Sequence, residues 1–206
     1  MMLSIETFPL IPSSARKEEI LEAARKLMSE RGYRATSMRD LAESLHIKPA
    51  SLYSHYKSKE DMLWEIALRC ARAFHEQVLP LAKGTKSASS RLHDMICAHV
   101  AVIIELREAS AIFFREWRNL EGERKSTYAA YIREYESAFS AMIEEGIDSG
   151  EFRDLNPVFS TYSILSSANW VQRWYQPEKG VAPQLIARQI ADQGLYGLQF
   201  PVSPLR

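Results

Sequence analysis

The chain has 206 residues with 26 basic and 26 acidic side chains, so its formal net charge is zero and any polyanion site must be a local patch. A hydrophobic share of 46% and a charged share of 25% describe a globular protein, and the absence of any apolar run of about 18 residues excludes a spanning helix. Cys70 and Cys97 lie far apart among apolar residues and outside any CxxC, which reads as two reduced, buried thiols in a cytoplasmic protein. No cofactor or metal is expected.

Residues 1–13 contain Pro9 and Pro12 and no helical period, and are expected to form a flexible arm. This stretch has neither a basic n-region nor a long apolar core, so no secretory signal is expected. From Ser14 the pattern is helical. Ile20, Ala24, Leu27 and Met28 line one face of a first helix that Gly32 ends. Ser37 and Asp40 have capping-box spacing for a second helix, with Met38, Leu41, Ala42 and Leu45 inward. Pro49 suits the first turn of a third helix, where its missing N–H is not needed. Ser58 and Asp61 repeat the capping box and open a fourth helix through Leu63, Ile66, Ala67, Cys70 and Phe74 to about Val78.

Pro80, Gly84 and the polar run TKSASS mark a linker. Helical patterns follow at 89–108, 110–118, 121–147, 156–175 and 183–198, with breaks at Gly146, Gly150, Pro157, Pro177, Gly180 and Pro183. No alternating, β-branched stretch competes as a sheet. The fold class is therefore all-α: a small three-helix head over 14–60, joined by the fourth helix to a larger helical bundle over 61–206.

The chemistry concentrates between Thr36 and Lys59, TSMRDLAESLHIKPASLYSHYKSK. Two short helices separated by a tight turn have the form of a helix-turn-helix, in which the second helix enters the major groove and the first braces the backbone. Leu41, Leu45, Ile47, Leu52 and Tyr56 are assigned inward. Lys48, Pro49, Ala50, Ser51, Tyr53, Ser54 and His55 remain outward, and the small residues among them allow a close approach. Lys48 can donate to guanine edges and Ser51 or Ser54 to either base type. Thr36, Ser37, Tyr53, His55 and Lys59 are the expected phosphate partners. Residues 34–59 hold five basic side chains against two acidic ones, a local charge of +3 in a neutral chain.

The strings RKEEILEAARKLMSERGYRATSMRDLAESL and IKPASLYSHYKSKEDML, over residues 16–64, resemble the N-terminal domain of TetR-type transcriptional regulators. The resemblance implies a homodimeric repressor that grips a palindromic double-stranded DNA operator. It carries DNA contact onto Thr36, Ser37, Lys48, Ala50, Ser51, Tyr53, His55 and Lys59. This chain departs from the family pattern at His46, where glycine is common in the turn, and at Pro49 and Ser54 on the reading face. Histidine tolerates a left-handed turn better than branched residues do.

In the second half, GIDSGEFRDLNP and ANWVQRWYQPEKGVAPQLIARQIADQGLYGL are similar to the ending of fatty-acyl-CoA-responsive members of the same family. That likeness implies a small hydrophobic effector, with an acyl-CoA as the candidate. It also implies a dimer interface made by the last two long helices, whose Ser160, Ser163, Ser167, Ala187, Ala191, Gly194 and Gly197 permit close crossing. Aromatic residues crowd the helices between. Phe114, Tyr131, Tyr135, Asn169, Trp170, Arg173 and Trp174 are the expected effector-binding set, with Arg115 and Arg118 as further cations for a CoA phosphate. His93, Asp94 and His99 fall at roughly helical spacing, and surface or core polar roles are expected for them. No GxSxG, HExxH, P-loop or dinucleotide fingerprint is present, so no enzyme activity is expected. The competing readings are a multidrug-type sensor repressor and a helical interaction scaffold that does not bind DNA.

Overall fold

The computed structural model describes residues 14–199. Ten α-helices run through them, with no strand among the described residues. They are α1 (Ala15–Arg31), α2 (Met38–Ser44), α3 (Pro49–Tyr53), α4 (Lys59–Val78), α5 (Ala88–Glu105), α6 (Arg107–Glu116), α7 (Gly122–Asp148), α8 (Pro157–Asn169), α9 (Val171–Trp174) and α10 (Pro183–Leu198). The expected N-terminal arm lies outside the described residues. The helix expected over 156–175 is interrupted at Trp170, which separates α8 from α9.

By packing, the chain divides into two units that are not contiguous in sequence. The first contains the described residues up to Arg72 together with Leu106–Tyr131, and the second contains Ala73–Glu105 and the described residues from Ile132 onward. These bounds differ from the expected division at residue 60. The inner face of α1 needs more cover than α2 and α3 supply, and α6 provides it. Arg25 of α1 pairs with Glu108 at 3.1 Å, Arg115 donates to the Ser29 carbonyl at 3.3 Å, and Ala109, Ile112 and Phe113 are buried.

Within the first unit the helix ends are set locally. Ser14 Oγ accepts from the Lys17 N–H, and Gly32 ends α1 at φ 87°, in the left-handed region that glycine tolerates. Both capping boxes form: Ser37 with Asp40, and Ser58 with Asp61. Asp61 also accepts from Arg124 at 2.5 Å. Burial alone would raise the Asp61 pKa, but the donors of Arg124 and Ser58 outweigh it and the pKa is lowered. Pro49 opens α3 as expected. His46 makes the turn between α2 and α3 with φ 54°.

One buried carboxylate connects these pieces. Glu65 of α4 is 3% exposed and accepts from Tyr56 Oη at 3.0 Å and from Arg69 at 2.6 Å, with Lys17 Nζ 3.1 Å away. Arg69 also clasps Glu18 of α1 with two bonds of 2.7 Å. Burial first, and then the Glu65 charge, push the Tyr56 hydroxyl well above its ordinary pKa, so it remains a donor.

In the second unit α5 starts on a carboxylate from the α7–α8 connection. Glu151 accepts from the N–H groups of Ala88 at 3.0 Å and Ser89 at 2.9 Å, and the Ser89 bond leads the causes that lower its pKa. Gly146 allows Phe152 to fold back on α7, since a Cβ there would lie 2.2 Å from the ring. Arg153 closes α10 by donating to the Gly197 carbonyl at 2.8 Å. Gly194 of α10 lies close to Ile96 of α5 and Ile164 of α8.

Tyr56→Phe removes one hydrogen bond to a buried, charged acceptor and nothing else. It should cost about 2 kcal/mol of stability, read as a lower denaturant midpoint at unchanged slope. An unchanged midpoint would show that Glu65 does not depend on the phenol.

Candidate nucleic-acid interface and interior polar cluster

On α3 and its flanks Leu52 and Tyr56 are buried. Leu45 and Ile47 are only half-buried, less covered than a core position. Lys48, Ala50, Ser51, Tyr53, Ser54 and His55 are all exposed. Ser54 Oγ donates to the Ser51 carbonyl at 2.7 Å, which keeps the hydroxyl's lone pairs outward as acceptors. Ser37 is exposed, but its hydroxyl is bonded to Asp40 at 2.7 Å.

Two expected phosphate partners have inward roles instead. Thr36 is 1% exposed and its hydroxyl donates to the Gly32 carbonyl at 2.9 Å, so its side chain holds the connection between α1 and α2. Lys59 Nζ donates to the carbonyls of Tyr33 at 2.8 Å and Thr36 at 2.9 Å, and sits 4.3 Å from the Tyr33 ring centroid. The ammonium thus binds that same connection from the start of α4. Periodicity places both residues near the interface, but their acceptors are backbone atoms 4 to 26 positions away, which spacing does not reveal.

The expected effector set is divided between the units. Phe114 and Tyr131 belong to the first, where Phe113, Phe114, Trp117 and Tyr128 form an aromatic group and the Tyr128 hydroxyl donates to the Phe113 carbonyl. Arg118 lies over Trp117 in the same unit. Tyr135 and Asn169 belong to the second and meet on one side chain that the expected set omits, His99. Trp170, Arg173 and Trp174 are on its surface, with Trp170 62% exposed.

His99 of α5 is 2% exposed. Its Nδ1 is 2.8 Å from Tyr135 Oη of α7 and its Nε2 is 2.9 Å from Asn169 Oδ1 of α8. Phe74 stacks on the ring at a centroid distance of 4.9 Å, and Phe139 meets it edge-on at 6.2 Å. Burial lowers the His99 pKa to about 4, so the ring is neutral at pH 7, accepting from Tyr135 and donating to Asn169. His93 stands apart from this cluster, 3.3 Å from Asp192 of α10 and 3.8 Å from the Cys97 thiol.

A short turn-linked helix pair with a polar, exposed second helix and a core-facing Leu and Tyr defines a helix-turn-helix DNA-binding protein. The description of bacterial regulatory proteins of the tetR family matches residues 20–66, and that of the tetracyclin repressor-like C-terminal domain matches residues 85–198. The HTH-type transcriptional repressor KstR2 of Rhodococcus jostii (strain RHA1) is 31% identical over 195 residues, covering 91% of this chain and 93% of that protein. The structure of the ketosteroid transcriptional regulator KstR2 of Mycobacterium tuberculosis superposes with a TM-score of 0.86 at 26% identity, covering 92% of this chain and 98% of that one. AibR in complex with isovaleryl coenzyme A and operator DNA superposes with a TM-score of 0.77 at 26% identity, over 89% and 98%. The chain belongs to the TetR family: it is a DNA-binding transcriptional regulator of the TetR repressor type.

Two measurements test the site. Lys59→Met should weaken operator binding without changing the slope of log affinity against log salt, while Lys48→Met should reduce that slope by about one. A unit loss of slope in Lys59→Met would restore Lys59 as a phosphate contact. For His99 the folded pKa of about 4 lies below the ordinary 6.5. The unfolded chain therefore binds the proton first as pH falls, and stability present above pH 6.5 is lost towards pH 4, roughly 3 kcal/mol in all. Urea midpoints at pH 7 and 4.5 should converge in His99→Gln relative to the parent, and equal acid losses in both would refute the assignment.

Proposed function

We infer that the protein is a homodimeric repressor that binds a palindromic operator and is released by a small acyl-CoA effector. The observation that carries the DNA reading is the exposed face of α3, where Lys48, Ala50, Ser51, Tyr53, Ser54 and His55 lie together while Leu52 and Tyr56 of the same segment are buried. Lys48, Ser51 and Ser54 are assigned to base edges, Tyr53 and His55 to phosphates.

Dimerisation is assigned to α8 and α10. A groove of about 490 Å³ runs between them, lined by Phe159, Ser160, Ser163, Ser167, Gly194 and Gly197 among others. Phe159 is 69% exposed and Tyr196 76%, apolar surface that a second copy of the chain would cover. Two copies would then present two α3 helices to successive major-groove faces.

The acyl-CoA assignment draws on the similarity to AibR, which is described with isovaleryl coenzyme A and operator DNA, and on the polar cluster inside the second unit. An effector shifts the repressor only by its difference in affinity between the DNA-bound and released conformers. Such a regulator works in the cytoplasm, and no helix among the described residues is long and apolar enough to cross a membrane.

Fluorescence anisotropy with a labelled operator tests both parts. Two chains should bind per palindrome, and short- or medium-chain acyl-CoAs should lower operator affinity at least tenfold. Operator affinity indifferent to acyl-CoAs would reject the effector class, and binding of one chain per palindrome would reject the dimer.

A further inference from the structure

A helical core packs well with aliphatic side chains, and a buried imidazole must be matched donor for donor. In the second unit His99 is matched on both sides. The Tyr135 hydroxyl fills Nδ1 at 2.8 Å, and Nε2–H is taken up by Asn169 Oδ1 at 2.9 Å. A neutral imidazole has one donor and one acceptor, so these two bonds fix its tautomer and hold the Asn169 carboxamide by its oxygen.

With Oδ1 bonded to the imidazole, the two N–H donors of Asn169 have no acceptor among the described residues. Asn169 is half-buried at the last position of α8, directly before the exposed Trp170 and four positions before the exposed Arg173. A carboxamide held through its oxygen by a buried ring, with its donors left over, is a preorganised partner for a carbonyl oxygen. Phe74 stacked on His99 and Phe139 at its edge restrict the ring that does the holding.

The geometry points to Asn169 as the residue that recognises the carbonyl oxygen of an acyl thioester, with His99 and Tyr135 as positioning residues that fix its carboxamide. This rests on the acyl-CoA reading above and adds the atom that is read. A site built this way discriminates by the lost bond: a ligand without the oxygen leaves the Asn169 donors unmatched.

The test is isothermal titration of the full chain with isovaleryl-CoA and octanoyl-CoA, each against the S-alkyl-CoA thioether of the same chain, which lacks only the carbonyl oxygen. The parent should prefer the thioester about tenfold, the scale of one hydrogen bond. Asn169→Leu should bind ester and ether alike, at the parent's affinity for the ether. Tyr135→Phe keeps Asn169 and removes the donor to Nδ1, and should narrow the preference several-fold. Thermal melts followed by circular dichroism confirm that each variant folds, and if Asn169→Leu does not, Tyr135→Phe decides. Equal affinity of the parent for both ligands, or a full preference retained in the variants, overturns the carbonyl assignment while leaving the effector class standing. Failure of every CoA ligand to bind overturns both.

Discussion

The reading head depends on a carboxylate kept away from water. Glu65 is surrounded by Tyr56 from the end of the helix-turn-helix, Lys17 from α1 and Arg69 from its own helix. Taking such a charge out of water is costly, and the pairs around it largely offset that cost rather than adding a large surplus. What the arrangement supplies is geometry. A hydrophobic contact would tolerate sliding, whereas three directed donors allow one placement of the segment after α3 against α1 and α4. Lys59 does the same for the connection between α1 and α2, so both ends of the helix-turn-helix are fixed by side chains of α4.

The helices of the reading head are largely legible in the sequence, because their signals are local. Serine and aspartate three apart announce both capping boxes, Pro49 opens α3, and apolar periodicity identifies Leu41, Leu52 and Tyr56 as interior. His46 stands where a turn glycine is common, and the structure gives it φ 54°, in the left-handed region. Long-range acceptors are not local. Nothing in the spacing of Thr36 or Lys59 shows that backbone carbonyls occupy them, and nothing around Glu65 distinguishes it from a solvated glutamate. The aromatic crowding in the second half reads as one group, yet it separates around Tyr128 in one unit and His99 in the other.

The interior of the second unit also shows how a polar cluster can be quiet in sequence. His99 lies in an apolar helix with Val100 and Ile103, where a single histidine most simply reads as a satisfied core residue. It is satisfied, but by Tyr135 and Asn169, which are 36 and 70 positions away. The burial that suppresses its charge makes it a dependable neutral donor, while Trp170 and Trp174, more prominent in the sequence, lie on the surface.

The discontinuous make-up of the first unit has a consequence for the modular exchange of regulators. Residues 106–131 fall within the stretch matched as the C-terminal domain, yet α6 covers α1 and Arg124 grips the start of α4. A chimera that transplants only the N-terminal segment onto another sensor inherits a foreign α6 against its own α1. The structural unit that carries the reading head is therefore two pieces of chain, and a chimera that moves both together keeps α6 on its own α1.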